Sequence, residues 1–152
     1  MLMEIVDFRP ELAGAFKALN EAWITTLFAL EPKDLEVLND PAAKIIAPGG
    51  HILFAIEQGE AVGCVALMAI EGGFEVAKMA VTEALKGRGH GRALMAACVE
   101  RAKAAGAARL YLETNSTLAP ALALYRSFSF REVEPAEPSP YARADVCMEL
   151  LL

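Results

Sequence analysis

The chain has 152 residues, 55% of them hydrophobic and 22% charged, a size for one hydrophobic core and a composition too apolar for a disordered segment. Fourteen lysines and arginines against twenty aspartates and glutamates give a formal net charge of -6, which excludes a broad basic surface for nucleic acid or anionic membrane. An anionic ligand therefore needs a local concentration of positive charge.

Met3 to Phe8 reads as a first strand, stopped by Pro10. Leu12, Phe16, Leu19, Trp23 and Leu27 recur at spacings of three and four, the period of an amphipathic helix running to about Leu30. A shorter helix over Asp34 to Asn39 is broken by Pro41, and Pro48-Gly49-Gly50 closes the segment. His51 to Glu57, a turn at Gln58-Gly59-Glu60 and Ala61 to Ile70 make an antiparallel hairpin, which Phe74 to Val81 extends to a meander after Glu71-Gly72-Gly73.

A helix then runs from the glycine-rich Gly87 to Gly91 to about Ala105, with Leu94, Met95, Cys98, Val99 and Ala102 on one stripe and Gly106 as its stop. Eight of the sixteen residues from Ala93 to Ala108 are alanine, so this helix can lie close on a sheet. Arg109 to Glu113 reads as a strand, Leu118 to Phe128 as a helix and Phe130 to Val133 as a strand. The proline-rich Glu134 to Pro140 is a loop, and Ala144 to Leu151 is the last strand. Antiparallel strands first and a strand–helix–strand unit later predict one α+β domain over 1–152, a mixed, mostly antiparallel sheet of about seven strands flanked by about four helices.

Cys64, Cys98 and Cys147 are odd in number, widely spaced and set among apolar residues, which points to buried thiols in a reducing cytoplasm rather than disulfides. No spacing suggests a metal site. Met1 to Pro10 lacks a basic n-region and a long apolar core, and no apolar run approaches the roughly 20 residues that span a bilayer, so a soluble protein is expected.

The most informative stretch is Val81-Thr82-Glu83-Ala84-Leu85-Lys86-Gly87-Arg88-Gly89-His90-Gly91-Arg92, between a strand and a helix. Glycines let a backbone approach a ligand, and the first turn of a helix offers unpartnered N–H groups at the positive end of its dipole. Together these bind phosphate. From Lys78 to Arg92 the chain carries Lys78, Lys86, Arg88 and Arg92 against Glu83 alone, the local positive charge that the acidic whole requires. A dinucleotide turn would need glycine at position 92, which is Arg92, and no Walker A Gly-Lys-Ser or Gly-Lys-Thr occurs.

Lys86-Gly87-Arg88-Gly89-His90-Gly91 resembles the [QR]-x-x-G-x-[GA] pyrophosphate loop of the GNAT superfamily of acyl-CoA-dependent N-acetyltransferases, with Lys in the first place. Ala121-Leu122-Ala123-Leu124-Tyr125-Arg126-Ser127-Phe128-Ser129-Phe130 is similar to the family's A-x-x-L-Y-x-x-x-G-F. Ser129 stands where the family has Gly, an expectation against positive φ there. Leu118 stands where many members have Asn, leaving Asn115 as a candidate replacement.

The resemblance implies acetyl-CoA as co-substrate and no metal. It implies that the Met79, Ala80 and Val81 backbone pairs with the pantetheine arm, with Lys86, Gly87, Arg88, Gly89, His90, Gly91, Arg92, Asn115 and Ala121 completing the cofactor contacts. His90, inside the turn, is expected at the surface beside CoA with no proton-transfer role. Tyr125 is the expected proton donor to the departing sulfur, the alternative being a tyrosine packed on an apolar stripe with Leu118, Ala121 and Leu122.

Strand alternation puts Glu75, Ala77, Met79 and Val81 on one face, and Glu75 there is a candidate base for the amine, with Glu113 a second; a solvated role for Glu75 stays open. Trp23, Glu113, Tyr141 and Arg143 are candidates for the acceptor cleft. Trp23 reads first as a core residue, and Arg143 as the partner of an acceptor carboxylate. The expected reaction is direct acetyl transfer to a primary amine of a small molecule or amino acid, a protein amine remaining open. The alternative is a CoA-binding regulatory or interaction module without catalysis. Neither nucleic acid nor membrane is an expected partner, and the apolar edge of the last strands leaves a homodimer open.

Overall fold

The computed structural model describes residues 3–152. Seven strands form one sheet: β1 (Met3–Asp7), β2 (His51–Glu57), β3 (Glu60–Ile70), β4 (Gly73–Val81), β5 (Arg109–Thr114), β6 (Arg131–Glu132) and β7 (Val146–Leu151). Their spatial order is β1-β2-β3-β4-β5-β7-β6, and every ladder is antiparallel except that of β4 with β5. The helices are α1 (Ala13–Leu27), α2 (Pro32–Asn39), α3 (His90–Ala104) and α4 (Ala119–Ser127). This is the mixed α+β architecture that the order of elements predicts.

Each face of the sheet carries its own apolar cluster. On one, Leu94, Met95, Cys98 and Ala102 of α3 pack with Leu53, Leu67, Phe74, Val76, Leu110 and Leu112. On the other, Phe16 of α1 and Val37 and Leu38 of α2 pack with Ile45, Ile52, Phe54, Cys64, Ala66 and Ala80. The predicted stripe of α3 is thus the buried one, as expected of a helix whose apolar residues recur at three and four. On α1 the expectation is corrected: the buried face is Phe16, Asn20 and Ile24, while Leu12, Leu19 and Trp23 of the predicted stripe pack at its margin and Leu27 is exposed. Cys64, Cys98 and Cys147 are free thiols at 0%, 0% and 9% exposure.

Several elements differ from the sequence reading, most by one or two residues at an end. α1 stops at Leu27 because Phe28 turns to an extended backbone, φ -142° and ψ -157°. Residues Ala42–Ile46 form a wide turn closed by the Ala47 N–H on the Ala42 carbonyl at 2.8 Å, where the sequence shows only breakers. β7 begins at Val146 rather than Ala144.

The sheet's joint lies between β4 and β5. These strands pair only over Gly73↔Arg109, Phe74↔Leu110 and Glu75↔Tyr111. Glycine is required at the start of this contact, since a Cβ on Gly73 would lie 1.9 Å from the Arg109 carbonyl oxygen.

A β-bulge sits further along β4. Cys64 pairs with Ala80 but Ala66 with Ala77, so β4 holds one extra residue, and Lys78 takes φ 55°. A bulge shifts the alternation of side chains by one. Phe74 and Val76 before it and Met79 and Val81 after it all contact the α3 cluster, while Ala80 joins the α1 and α2 cluster. The expectation that Glu75, Ala77, Met79 and Val81 share one face is therefore corrected: the bulge at Lys78 separates the first two from the last two.

Candidate active site

Past Glu75, β4 and β5 part, and the edge of β4 from Val76 to Val81 has no ladder partner on that side. A cleft of about 640 Å³ opens between them, lined among others by Met79, Ala80, Val81, Thr114, Ala121 and Tyr125. Unpaired strand backbone at its wall offers donors and acceptors to any extended amide-bearing chain laid along it.

At one end the cleft meets the N-terminus of α3. Gly87 and Gly89 take φ 82° and 91°, a backbone that glycine adopts freely, and no side chain among the described residues caps the first turn of α3. Its leading N–H groups are thus available to an anion. Lys86, Gly87, Gly89, His90, Gly91 and Arg92 line this end, and Arg88 lies outside the lining. Gly91 is packed closely enough that a Cβ would reach Leu124 at 3.6 Å and Met79 at 3.9 Å.

Two expectations about this end change. Lys78 is not part of the basic patch, because the bulge turns its side chain to the opposite face, and Lys86 pairs with Glu83 at 2.8 Å. His90 is not a surface residue: it is 6% exposed, with Nε2 3.5 Å from the Glu57 carboxylate, and among the described residues neither ring nitrogen finds a hydrogen-bond partner.

Tyr125 stands on α4 where the strands have separated. Burial raises its phenol above the ordinary value, with a hydrogen bond to Thr114 pulling the other way, so it is protonated at neutral pH. Its ring lies 6.1 Å from that of Phe130. α4 ends just past it in a Schellman motif, Phe130 N–H on the Tyr125 carbonyl at 3.1 Å and Ser129 N–H on Arg126 at 2.9 Å. That motif needs a left-handed residue, and Ser129 takes φ 73°. The expectation against positive φ at Ser129 is corrected, the helix end imposing the conformation on a non-glycine residue.

At the other end of the cleft stand Glu75 and Glu113. Burial, with the nearby charge of Glu113, pushes the Glu75 carboxyl up to about 7. Glu113 accepts hydrogen bonds from Tyr111 Oη at 3.1 Å and Ser139 Oγ at 2.6 Å.

Behind them lies an ionic network that the sequence did not announce. Asp34, wholly buried, accepts Lys78 Nζ at 2.7 Å and Arg143 Nη2 at 2.6 Å on one oxygen, and Arg143 Nη1 at 2.8 Å and the Glu31 N–H at 2.9 Å on the other. Burial opposes its ionisation, and the bonds from Arg143, Lys78 and the Glu31 N–H overcome that, holding its pKa at about 2. The Tyr141 hydroxyl accepts a hydrogen bond from Lys78 Nζ at 3.0 Å, and its ring lies under both cations, 4.3 Å from Lys78 and 4.6 Å from Arg143.

Arg143 therefore lines the cleft as expected, but its guanidinium fork is held by Asp34 and Glu31, and the reading of it as a free partner for an acceptor carboxylate is corrected. Asn115 also lines the cleft. Its amide is engaged on both sides, donating to the Arg143 carbonyl at 2.7 Å and accepting from the Thr117 N–H at 2.9 Å. Trp23 is half-buried at the cleft wall, its indole N–H on Asn20 Oδ1 at 3.2 Å and its ring edge-on to Phe28 at 6.2 Å.

The sequence reading missed Glu31, Asp34, Thr114 and the rim residues Leu27 and Phe28. The local signal for two of them is Glu31-Pro32-Lys33-Asp34, where Glu31 and Asp34 form a reciprocal capping box around Pro32 at the start of α2. A lysine in the apolar run of β4 signals a buried partner without saying which.

The model of the Acetyltransferase (GNAT) family matches residues 15–130. An uncharacterized N-acetyltransferase of Schizosaccharomyces pombe is 33% identical over 106 residues, which cover 68% of this chain and 65% of that protein; the chain thus spans less than two thirds of that curated relative. An acetyltransferase of the GNAT family from Staphylococcus aureus superposes with a TM-score of 0.89 at 16% identity, covering 99% of each chain. The PaiA N-acetyltransferase of Thermoplasma acidophilum, solved in complex with coenzyme A, superposes with a TM-score of 0.79 at 14% identity over 100% of each chain. These two superpositions bear on the fold. With the family model covering most of its length, a parted β4–β5 pair and a glycine-rich turn into α3, the chain belongs to the acetyltransferase (GNAT) family.

Proposed function

We propose that this protein is an N-acetyltransferase that moves the acetyl group of acetyl-CoA to a primary amine of a small molecule by direct attack in a ternary complex. The observation that carries this is the unpaired edge of β4 running from Glu75 to the uncapped N-terminus of α3. An extended pantetheine arm has backbone partners at Met79, Ala80 and Val81, and its diphosphate has the N–H groups and cations from Lys86 to Arg92. Binding of CoA species by family neighbours, such as the Thermoplasma acidophilum protein, supports the fit.

An amine with a pKa of about 10.4 is only about one part in 2,500 neutral at pH 7, so unassisted deprotonation costs about 4.6 kcal/mol. Glu75, with its pKa at about 7, is ionised enough at neutral pH to accept the ammonium proton and basic enough to hold it, directly or through water. Tyr125 keeps its proton and gives it to the sulfur as the carbon–sulfur bond breaks and the carbon–nitrogen bond forms. No cysteine is proposed as a nucleophile, since all three are buried. The acidic chain and three unpaired thiols support a cytoplasmic setting without nucleic-acid or membrane partners.

The test is turnover of acetyl-CoA with a panel of amines, read as free CoA thiol. Thiol release that depends on an amine is the expected result. Tight CoA binding with no release for any amine would instead make the chain a CoA-binding module.

A further inference from the structure

The acceptor end of the cleft has an unequal distribution of charge. Two cations line it, Lys78 and Arg143. Both are held by carboxylates of the chain itself: Lys78 by Asp34 at 2.7 Å, and Arg143 by Asp34 at 2.6 Å and Glu31 at 3.3 Å. The Lys78 side chain is 4% exposed and that of Arg143 12%, so neither presents a free charge to a ligand. Two cations are balanced by two carboxylates behind the wall.

Glu75 and Glu113 remain. Both line the cleft, and neither forms an ion pair among the described residues. The hydrogen bonds that Glu113 accepts from Tyr111 and Ser139 come from neutral hydroxyls and leave its charge in place. The surplus facing the cavity is negative. Beside it the wall is apolar: Leu27, 55% exposed, Phe28 and the edge-on Trp23.

We infer that the acceptor is a cationic primary amine on an apolar body of about aromatic size and without a carboxylate, an arylalkylamine rather than an α-amino acid. An incoming ammonium meets Glu75 and Glu113, its apolar body meets Trp23, Leu27 and Phe28, and a carboxylate beside the amine would face Glu113, and Glu75 as well whenever that carboxyl is ionised, with no free guanidinium to receive it. This inference rests on the acetyl-transfer reading and narrows its acceptor.

Three matched compounds test it: phenethylamine, phenylalanine and phenylalaninamide, which share a ring and differ in the group beside the amine. The expected kcat/KM is about 100-fold or more higher for phenethylamine than for phenylalanine, since like charges brought together in an interface are strongly disfavoured. Phenylalaninamide, carboxylate-free but nearly the same size as phenylalanine, should fall with phenethylamine. E113Q should narrow the preference at least about fivefold by removing one carboxylate of the pair. Equal or better use of phenylalanine would overturn the inference while leaving acetyl transfer standing. The same compounds titrated calorimetrically into CoA-saturated protein read the preference without chemistry. There a phenethylamine preference supports the inference even if no thiol is ever released, a failure that falls on the acetyl-transfer reading alone. Equal affinities overturn it.

Discussion

Lys78 Nζ lies 2.7 Å from Asp34 Oδ1 across 44 positions of sequence, with the two side chains 4% and 0% exposed. The contact ties the bulge of β4 to the first turn of α2, and Arg143 joins the segment before β7 to the same carboxylate. Three distant parts of the chain thus meet on one side chain at the back of the cleft.

Asp34→Ala leaves Lys78 and Arg143 buried without that counter-charge, and removing one partner from such a group costs about 3–5 kcal/mol. The urea midpoint should fall with the slope unchanged. Because the folded-state pKa of Asp34 is depressed to about 2 from 3.8, its contribution is complete above about pH 4 and is lost as the pH falls through 2. That contribution is about 2 kcal/mol by linkage, and the acid-unfolding curve of Asp34→Ala should lack it. An identical acid transition in the two proteins would contradict the assignment.

Glu75→Gln should lower kcat by about 100-fold, the lower end of what a positioned base supplies. Wild-type kcat should rise as the pH passes about 7 and Glu75 ionises, a limb that the variant lacks. The stability effect has the opposite sign. A carboxyl whose folded pKa is raised from 4.5 to about 7 holds its proton more tightly in the folded chain, so its contribution is fully present below about pH 4.5, is lost as the pH rises through 7, and leaves a constant penalty above that. At pH 8 the glutamine variant should therefore unfold at a higher urea concentration than the wild type, by up to about 3 kcal/mol. A less stable variant would show Glu75 to be a structural carboxylate.

Tyr125→Phe keeps the ring against Phe130 and removes only the hydroxyl. Its kcat should fall about 100-fold with acetyl-CoA affinity nearly unchanged. Calorimetric titration with CoA, beside single-turnover rates, separates the two quantities, and an unaltered kcat would remove Tyr125 from the chemistry.

Ser129→Gly should stabilise the protein by about 0.5–1 kcal/mol, because φ 73° at the end of α4 strains any residue with a Cβ. Thermal unfolding midpoints give the comparison. A fall in midpoint would mean that the greater freedom of glycine in the unfolded chain outweighs the relieved strain.

What the sequence made legible was local. The stripe of α3 announces its buried face through spacing, and the turn from Gly87 to Gly91 marks a candidate anion site because glycines and a helix start coincide. On α1 the spacing caught Phe16 alone, because Asn20, a polar residue that bonds the Phe16 carbonyl, shares the buried face with Ile24. The bulge at Lys78 was hidden, since Phe74 to Val81 reads as an unbroken strand and one extra residue has no compositional mark. Arg143 looked free for the same reason that Asp34 looked ordinary. Their contact spans 109 positions, and only the folded chain brings the two together.

Cys64, Cys98 and Cys147 are enclosed. Burial pushes the first two thiols up to about 12 and raises the third above its ordinary value, so almost no thiolate is present at neutral pH. A sulfur-reactive chromophore added to the folded protein meets no rival nucleophile, so colour developed in the proposed acetyl transfer is expected from the liberated coenzyme. On unfolding, three further equivalents per chain become reactive. One reagent can therefore time the proposed reaction in native protein and count open molecules in denaturant.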